Sequence, residues 1–344
     1  MKNKLDKICL VLSIVILAVM LNFILGAFLG QCLAGDEAVF IRITDRLPDY
    51  SSRAEWFTRE GDIHPDDCDY LPTTPFFRSA YDKLIWHHPP LANYLAYPAV
   101  KLIWSDESIE TIDSGTEKLR WIAWAMLTFC IVGTIYIINK KFKSGKVLLL
   151  SMLPLIAGYT IFTHWGQNWF YHDMFMLIFL IIALLMKGTK YEKFIYIPLT
   201  LMVGCKLTAI FLLLPFIIRN KKTALCSLIL IPYYIQCGIV TGDWLYHWTV
   251  IVRGAGARQS VPWDRWNTST WMLVVTAIPF MYTAYNAIRK RASWFYPTLF
   301  LVVCLLGLGW THCLYQMLPM MIGGMLLMGE AVNQFIAQRK RSNA

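Results

Sequence analysis

Charge is what this chain has least of. Only 16% of its 344 residues are Asp, Glu, Lys or Arg, and 57% are hydrophobic; a soluble domain carries about a quarter charged residues. That shortage excludes an ordinary water-soluble globule. Acid is scarcer still outside one stretch, because 16 of the 22 Asp and Glu lie between Asp36 and Glu117. The nine cysteines form no CxxC pair and show no zinc spacing, which argues against a disulfide scaffold and a structural zinc site. Cys32 and Cys68 share one segment and are able to pair, although unpaired packing is the plainer expectation. No internal repeat or low-complexity tract interrupts the chain. A net charge of +10 would suit nucleic acid if the cations formed one patch, but they are scattered between apolar runs, so no nucleic-acid partner is expected.

Unbroken apolar sequence is what the chain has in abundance. Several runs of about 16–23 residues carry no interior charge, the length a helix needs to cross a bilayer. The expected fold class is all-α: a polytopic integral membrane protein with about 8–10 transmembrane helices in a single domain, 1–344. Six short basic clusters punctuate the runs, at residues 2–7, 140–146, 187–193, 219–222, 289–291 and 339–341, and hold 19 of the 32 Lys and Arg. The positive-inside rule assigns these clusters, and with them both termini, to the cytoplasm. The expected location is a bacterial or archaeal cytoplasmic membrane. Residues 8–30 are too long for a signal-peptide core and read as an uncleaved first span.

The clusters thread the chain. Span 1 leads out into a long external segment, residues 31–118, and later spans are expected near 121–138, 147–162, 174–186, 223–240, 271–287, 294–310 and 314–332. A second external loop covers 241–270. The apolar stretch PPLANYLAYPAVKLIW (89–104) is short and has external flanks, so it reads as a helix at the outer surface. Residues 194–218 have basic clusters at both ends, which favours a broken hairpin turning near Gly204-Cys205-Lys206 over one tilted helix. In EAVFIRITDRL (37–47), Val39, Phe40, Ile43 and Leu47 share a helical face, the pattern of an interfacial helix.

Charges that break the apolar background are the candidates for function. Asp36 and Glu37 stand at the mouth of span 1. Locally they suit a helix N-cap and first turn; chemically, a partly desolvated carboxylate there suits proton abstraction from an acceptor hydroxyl. His87 and His88 precede Pro89-Pro90, and Asp173 opens a later span on the same outer side. Lys206 lies within an apolar stretch, where a cation costs about 2.5–3.5 kcal/mol on insertion scales; snorkelling is the plain explanation and a phosphate ligand the sharper one. Arg253 and Arg258 run against the positive-inside trend, and His312 and Gln316 join them outside. HPDDCDY (64–70) has acids without metal-ligand spacing and reads as a solvated loop.

The order and sidedness of these residues resemble the GT-C glycosyltransferases, above all the branch containing protein O-mannosyltransferases and the lipid A aminoarabinose transferase. Asp36-Glu37 matches that branch's acidic pair, and His88-Pro89-Pro90-Leu91 its HPPL segment. EKLRWIAW (117–124), His172-Asp173, GCKLTAIFLLLP around Lys206, and HCLYQMLPMM follow in the family's order. The resemblance implies transfer of a sugar from a polyprenyl-phosphate donor to a hydroxyl of a lipid, glycan or protein at the outer membrane face. It casts Asp36 as general base, Glu37 as the group that orients the acceptor or Asp36, and His87, His88, Asp173, Lys206, Arg253, Arg258, His312 and Gln316 as substrate-binding groups. No cofactor is required, and a divalent metal stays open because some relatives hold one and others do not. The chain is short for the family and shows no soluble C-terminal domain, which bears on the acceptor class. A transporter or flippase, or a non-catalytic envelope assembly subunit, are the competing readings.

Overall fold

The computed structural model describes residues 4–29, 40–41, 44, 89–103, 113–158, 170, 172–245, 248, 263–308 and 318–342. Within them there is no strand, and the expected all-α membrane architecture is present. In chain order the helices are α1 (Lys4–Leu29), α2 (Leu91–Ile103), α3 (Asp113–Phe142), α4 (Gly145–Ser151), α5 (Leu153–Ala157), α6 (His172–Met186), α7 (Tyr196–Cys205), α8 (Leu214–Arg219), α9 (Ile231–Thr241), α10 (Trp263–Ile288), α11 (Phe295–Leu308) and α12 (Leu318–Ser342). Tighter 3₁₀ segments, Leu207–Leu213 and Lys221–Leu230, lead into α8 and α9.

Five of the described helical stretches are long and apolar enough to cross a membrane: Lys4–Leu29, Glu117–Phe142, Lys221–Ile239, Trp271–Ile288 and Leu318–Lys340. Four shorter apolar ones, Gly145–Ala157, His172–Met186, Leu207–Arg219 and Phe295–Leu305, lie between them. The span expected near 147–162 differs in form. It begins as two short helices that break at Met152, ahead of Pro154, where the ring cannot donate a helical hydrogen bond.

Apolar residues face outward along these helices, as a hydrocarbon solvent demands. Val11 and Val19 of α1, Ile239 of α9 and Ile278 of α10 are more than half exposed. Several buried hydroxyls are satisfied by their own helix. The hydroxyls of Ser13, Thr134 and Thr283 donate to the carbonyls of Cys9, Cys130 and Pro279 at 2.8 Å, a backbone partner that remains available without water. Helices approach closely at small residues. A Cβ on Gly133 of α3 would meet Ile181 of α6 at 2.6 Å, and one on Gly145 would run into the α1 backbone at Asp6 and Leu10.

The basic clusters gather at one end of the bundle. Asp6 accepts from the Ser144 hydroxyl at 3.0 Å and the Lys146 amide at 3.2 Å, tying the start of α1 to the α3–α4 turn. Lys141 pairs with Glu330 at 2.6 Å, and Arg219 with Glu192 at 3.0 Å. Tyr282 and Asn286 of α10 donate to Gln338 and Gln334 of α12 at 2.8 Å, bringing the end of α12 to the same place. The start of α1 and the end of α12 therefore share one end of the molecule, as the charge pattern requires.

Candidate functional site

The hairpin of 194–218 sets the geometry of the opposite end. α7 climbs from the basic end beside α6, and Lys206 then breaks the helix with extended backbone angles (φ −152°, ψ 132°). The 3₁₀ segment and α8 bring the chain back until Arg219 meets Glu192 and the Asn220 amide donates to the Tyr196 hydroxyl at 2.6 Å. Both ends of the hairpin thus lie together, which a single tilted helix would not allow.

At the turn, the Lys206 ammonium donates to both carboxylate oxygens of Asp173, at 2.7 and 2.6 Å. Asp173 and Lys206 are only 5% and 7% exposed, so neither charge is solvated and each depends on the other. The placement also suits the helix dipoles: Asp173 occupies the first turn of α6 and Lys206 caps the C-terminal end of α7. Lys206 does not snorkel, and Asp173 lies inside the first helical turn rather than at the cap. From Asp173 to Met186 is about 20 Å of helix, shorter than the ~30 Å hydrocarbon core.

Two further segments, 40–44 and α2, meet residues beside this pair. Phe40 packs its ring on His172, with centroids 4.8 Å apart, and on Phe170 and Phe175 at 6.0 and 6.3 Å. The Asn93 amide of α2 donates to the Thr44 hydroxyl at 3.0 Å, and both residues are buried. Leu91, last residue of the HPPL segment, lies over Gly204, where a Cβ would stand 2.8 Å from its methyl group. Gly204 therefore lets α2 settle two residues before the ion pair. α2 itself is a 13-residue helix that buries Ala92, Asn93, Ala96 and Val100 along one face and contains Pro98, matching the expected non-spanning helix. Arg120 of α3 is fully buried, four residues before Trp124, whose indole donates to the Leu21 carbonyl of α1 at 3.1 Å.

The structure brings Asp173 and Lys206 together among the sequence-selected residues. Asp36, Glu37, His87, His88, Arg253, Arg258, His312 and Gln316 lie outside the described residues, as do Cys32 and Cys68. Asn93 and Thr44 were not picked out beforehand; a lone Asn in an apolar helix was the available signal. In the segment after Asp36-Glu37, Phe40 is buried as expected, whereas Val39, Ile43 and Leu47 lie outside the described residues. Phe40, Ile41 and Thr44 are buried, so Thr44 takes an inward place that a purely apolar pattern does not assign. The Asn93 Oδ1 atom is buried and has no hydrogen-bond partner among the described residues, leaving an acceptor beside the converging segments. No group of three or more metal-ligating side chains occurs among the described residues. Comparison with protein-family models, curated proteins and solved structures returned no match.

Proposed function

We propose that the chain is a membrane glycosyltransferase with a GT-C-like arrangement of about 8–10 crossings, the four shorter apolar helices counting among them. It moves a sugar from a polyprenyl-phosphate donor to a hydroxyl of an envelope lipid, glycan or protein on the outer face. The observation that carries this reading is convergence. Segments adjoining the Asp36-Glu37, HPPL, His172-Asp173 and Lys206 motifs meet at the end of the bundle away from the basic clusters, through Phe40 on His172, Leu91 on Gly204, Asn93 on Thr44 and Lys206 on Asp173. Phe40 follows Glu37 by three residues in the sequence.

In this reading Asp36 accepts the proton of the acceptor hydroxyl as its oxygen attacks the anomeric carbon. The bond from that carbon to the phosphate oxygen breaks, configuration inverts, and polyprenyl phosphate leaves as a stable anion. A strong general acid is unnecessary, whereas cations near the leaving phosphate matter. Both oxygens of Asp173 are engaged by Lys206, so it is not cast as the base. Its role is to hold Lys206 in place, where the ammonium can share a lipid phosphate. The Asn93 carbonyl oxygen suits a sugar hydroxyl.

Purified protein and a panel of polyprenyl-phosphate sugars test the proposal by release of free polyprenyl phosphate. Slow turnover of one donor by the wild type, lost in Asp36→Asn with unchanged expression, is the expected outcome. A second reading, a transporter, is favoured by one observation: a buried ion pair at the break between two half-length helices, where transporters place substrates. Donor carried across vesicles by the Asp36→Asn protein as well as by the wild type, without cleavage, would establish that reading instead.

A further inference from the structure

The basic end of the bundle contains a cavity of about 370 Å³ lined by Lys187, Glu192, Lys193, Arg219, Asn220 and Thr223, with the Phe216 and Tyr196 rings in its wall. Three cations face one carboxylate there. Glu192 already serves twice, accepting from the Gly188 amide at 2.9 Å and pairing with Arg219 at 3.0 Å. Lys141, the neighbouring cation, is taken up by Glu330. Lys187 has its ammonium 3.8 Å from the Phe295 ring centroid, a cation–π contact, and pairs with no carboxylate among the described residues.

The chain deepens this positive field where it would ordinarily relieve it. The 3₁₀ segment Lys221–Leu230 starts at the cavity, capped by the Asn220 side chain, which accepts from the Lys222 amide at 3.1 Å. A helix N-terminus favours acidic residues, yet this one opens with Lys221 and Lys222 and has no acid in its first turn. Burial, and then the charges of Lys141 and Arg219, lower the Lys187 pKa to about 8 against the opposing pull of Glu192 and Glu330, so an anion bound beside it would favour its charged form. Beside the cavity the surface is apolar: Phe194, Ile197 and Ile218 are each about half exposed, a surface suited to acyl chains.

We propose that this cavity binds the phosphate of an anionic lipid headgroup at the membrane face carrying the basic clusters. The site is independent of the transfer chemistry proposed for the other end. Its cations meet the phosphate, and its apolar margin meets the chains.

Native mass spectrometry of the full-length protein with phosphatidylglycerol and with phosphatidylcholine tests it. Phosphatidylglycerol should be retained preferentially. Lys193→Gln and Arg219→Gln, both at exposed positions, should each weaken retention about fivefold, while Lys290→Gln and Arg291→Gln, at the same end but away from the cavity, should not. Glu192→Gln should strengthen it, a gain that misfolding cannot mimic. Equal retention of the two lipids, or retention unmoved by all three cavity variants, would overturn the proposal. Inorganic phosphate that displaces phosphatidylglycerol at millimolar concentration would overturn the lipid assignment in favour of a soluble phosphate.

Discussion

Lys206 and Asp173 make sense only as a pair. Removing one partner from a buried ion pair costs about 3–5 kcal/mol, because the remaining charge is left uncompensated, whereas replacing both with apolar side chains is often neutral. Lys206→Met and Asp173→Leu should each lower thermal stability sharply in detergent, and the double variant should recover most of the loss. If the pair also serves substrate, the stable double variant should remain inactive. A double variant as unstable as the single ones would show that the site's stability does not rest on the charge balance. Glu330 at the other end is a contrasting case. It faces a Lys141 that is 41% exposed, so solvent screens that pair and its loss should cost little.

At the scale of helices, close approach decides the packing. Gly145 sits against the α1 backbone at Asp6 and Leu10, and backbone cannot yield as a side-chain end can. Gly145→Ala should therefore unseat α1 at a cost of about 1–3 kcal/mol, read as a lower melting temperature and easier proteolysis of the amino-terminal segment. Gly204→Ala should be milder, because the nearest atom is the Leu91 methyl. Helix existence and the hairpin were legible from sequence, since apolar runs and basic flanks report solvent and sidedness directly. The partner of Lys206 was not, because it lies 33 residues away and only the turn of the hairpin brings it near. The Asn93–Thr44 bond, 49 residues apart, was hidden for the same reason. Apolar periodicity put Phe40 on the buried face but carried no signal for Thr44, which is buried against a polar partner. The break at Met152 was visible only as Pro154 within an apolar run.

For the whole molecule, the two ends differ in kind. One is a cluster of cations partly matched by Glu192 and Glu330; the other holds a buried ion pair under α2. Such polarity gives an asymmetric chain one stable orientation in a membrane. A green fluorescent protein fused after Ala344 should fluoresce in cells, and an alkaline phosphatase fused there should be inactive. The reverse pattern would invert the assignment of both ends, and with it the faces proposed for sugar transfer and lipid binding.

The break at Lys206 also bears on how the protein is made. α7 has ten residues, too few to stop in the translocon as an independent span, and it delivers a lysine into the bilayer. Asp173 leaves the ribosome first, so the carboxylate is already waiting when that ammonium arrives. We expect the pair to act during synthesis as a latch that adds to the basic flanks in turning the hairpin back. In Asp173→Asn a fraction of nascent chains should carry Lys206 through to the far side and insert every later helix upside down. That fraction would appear as alkaline phosphatase activity from the same carboxyl-terminal fusion.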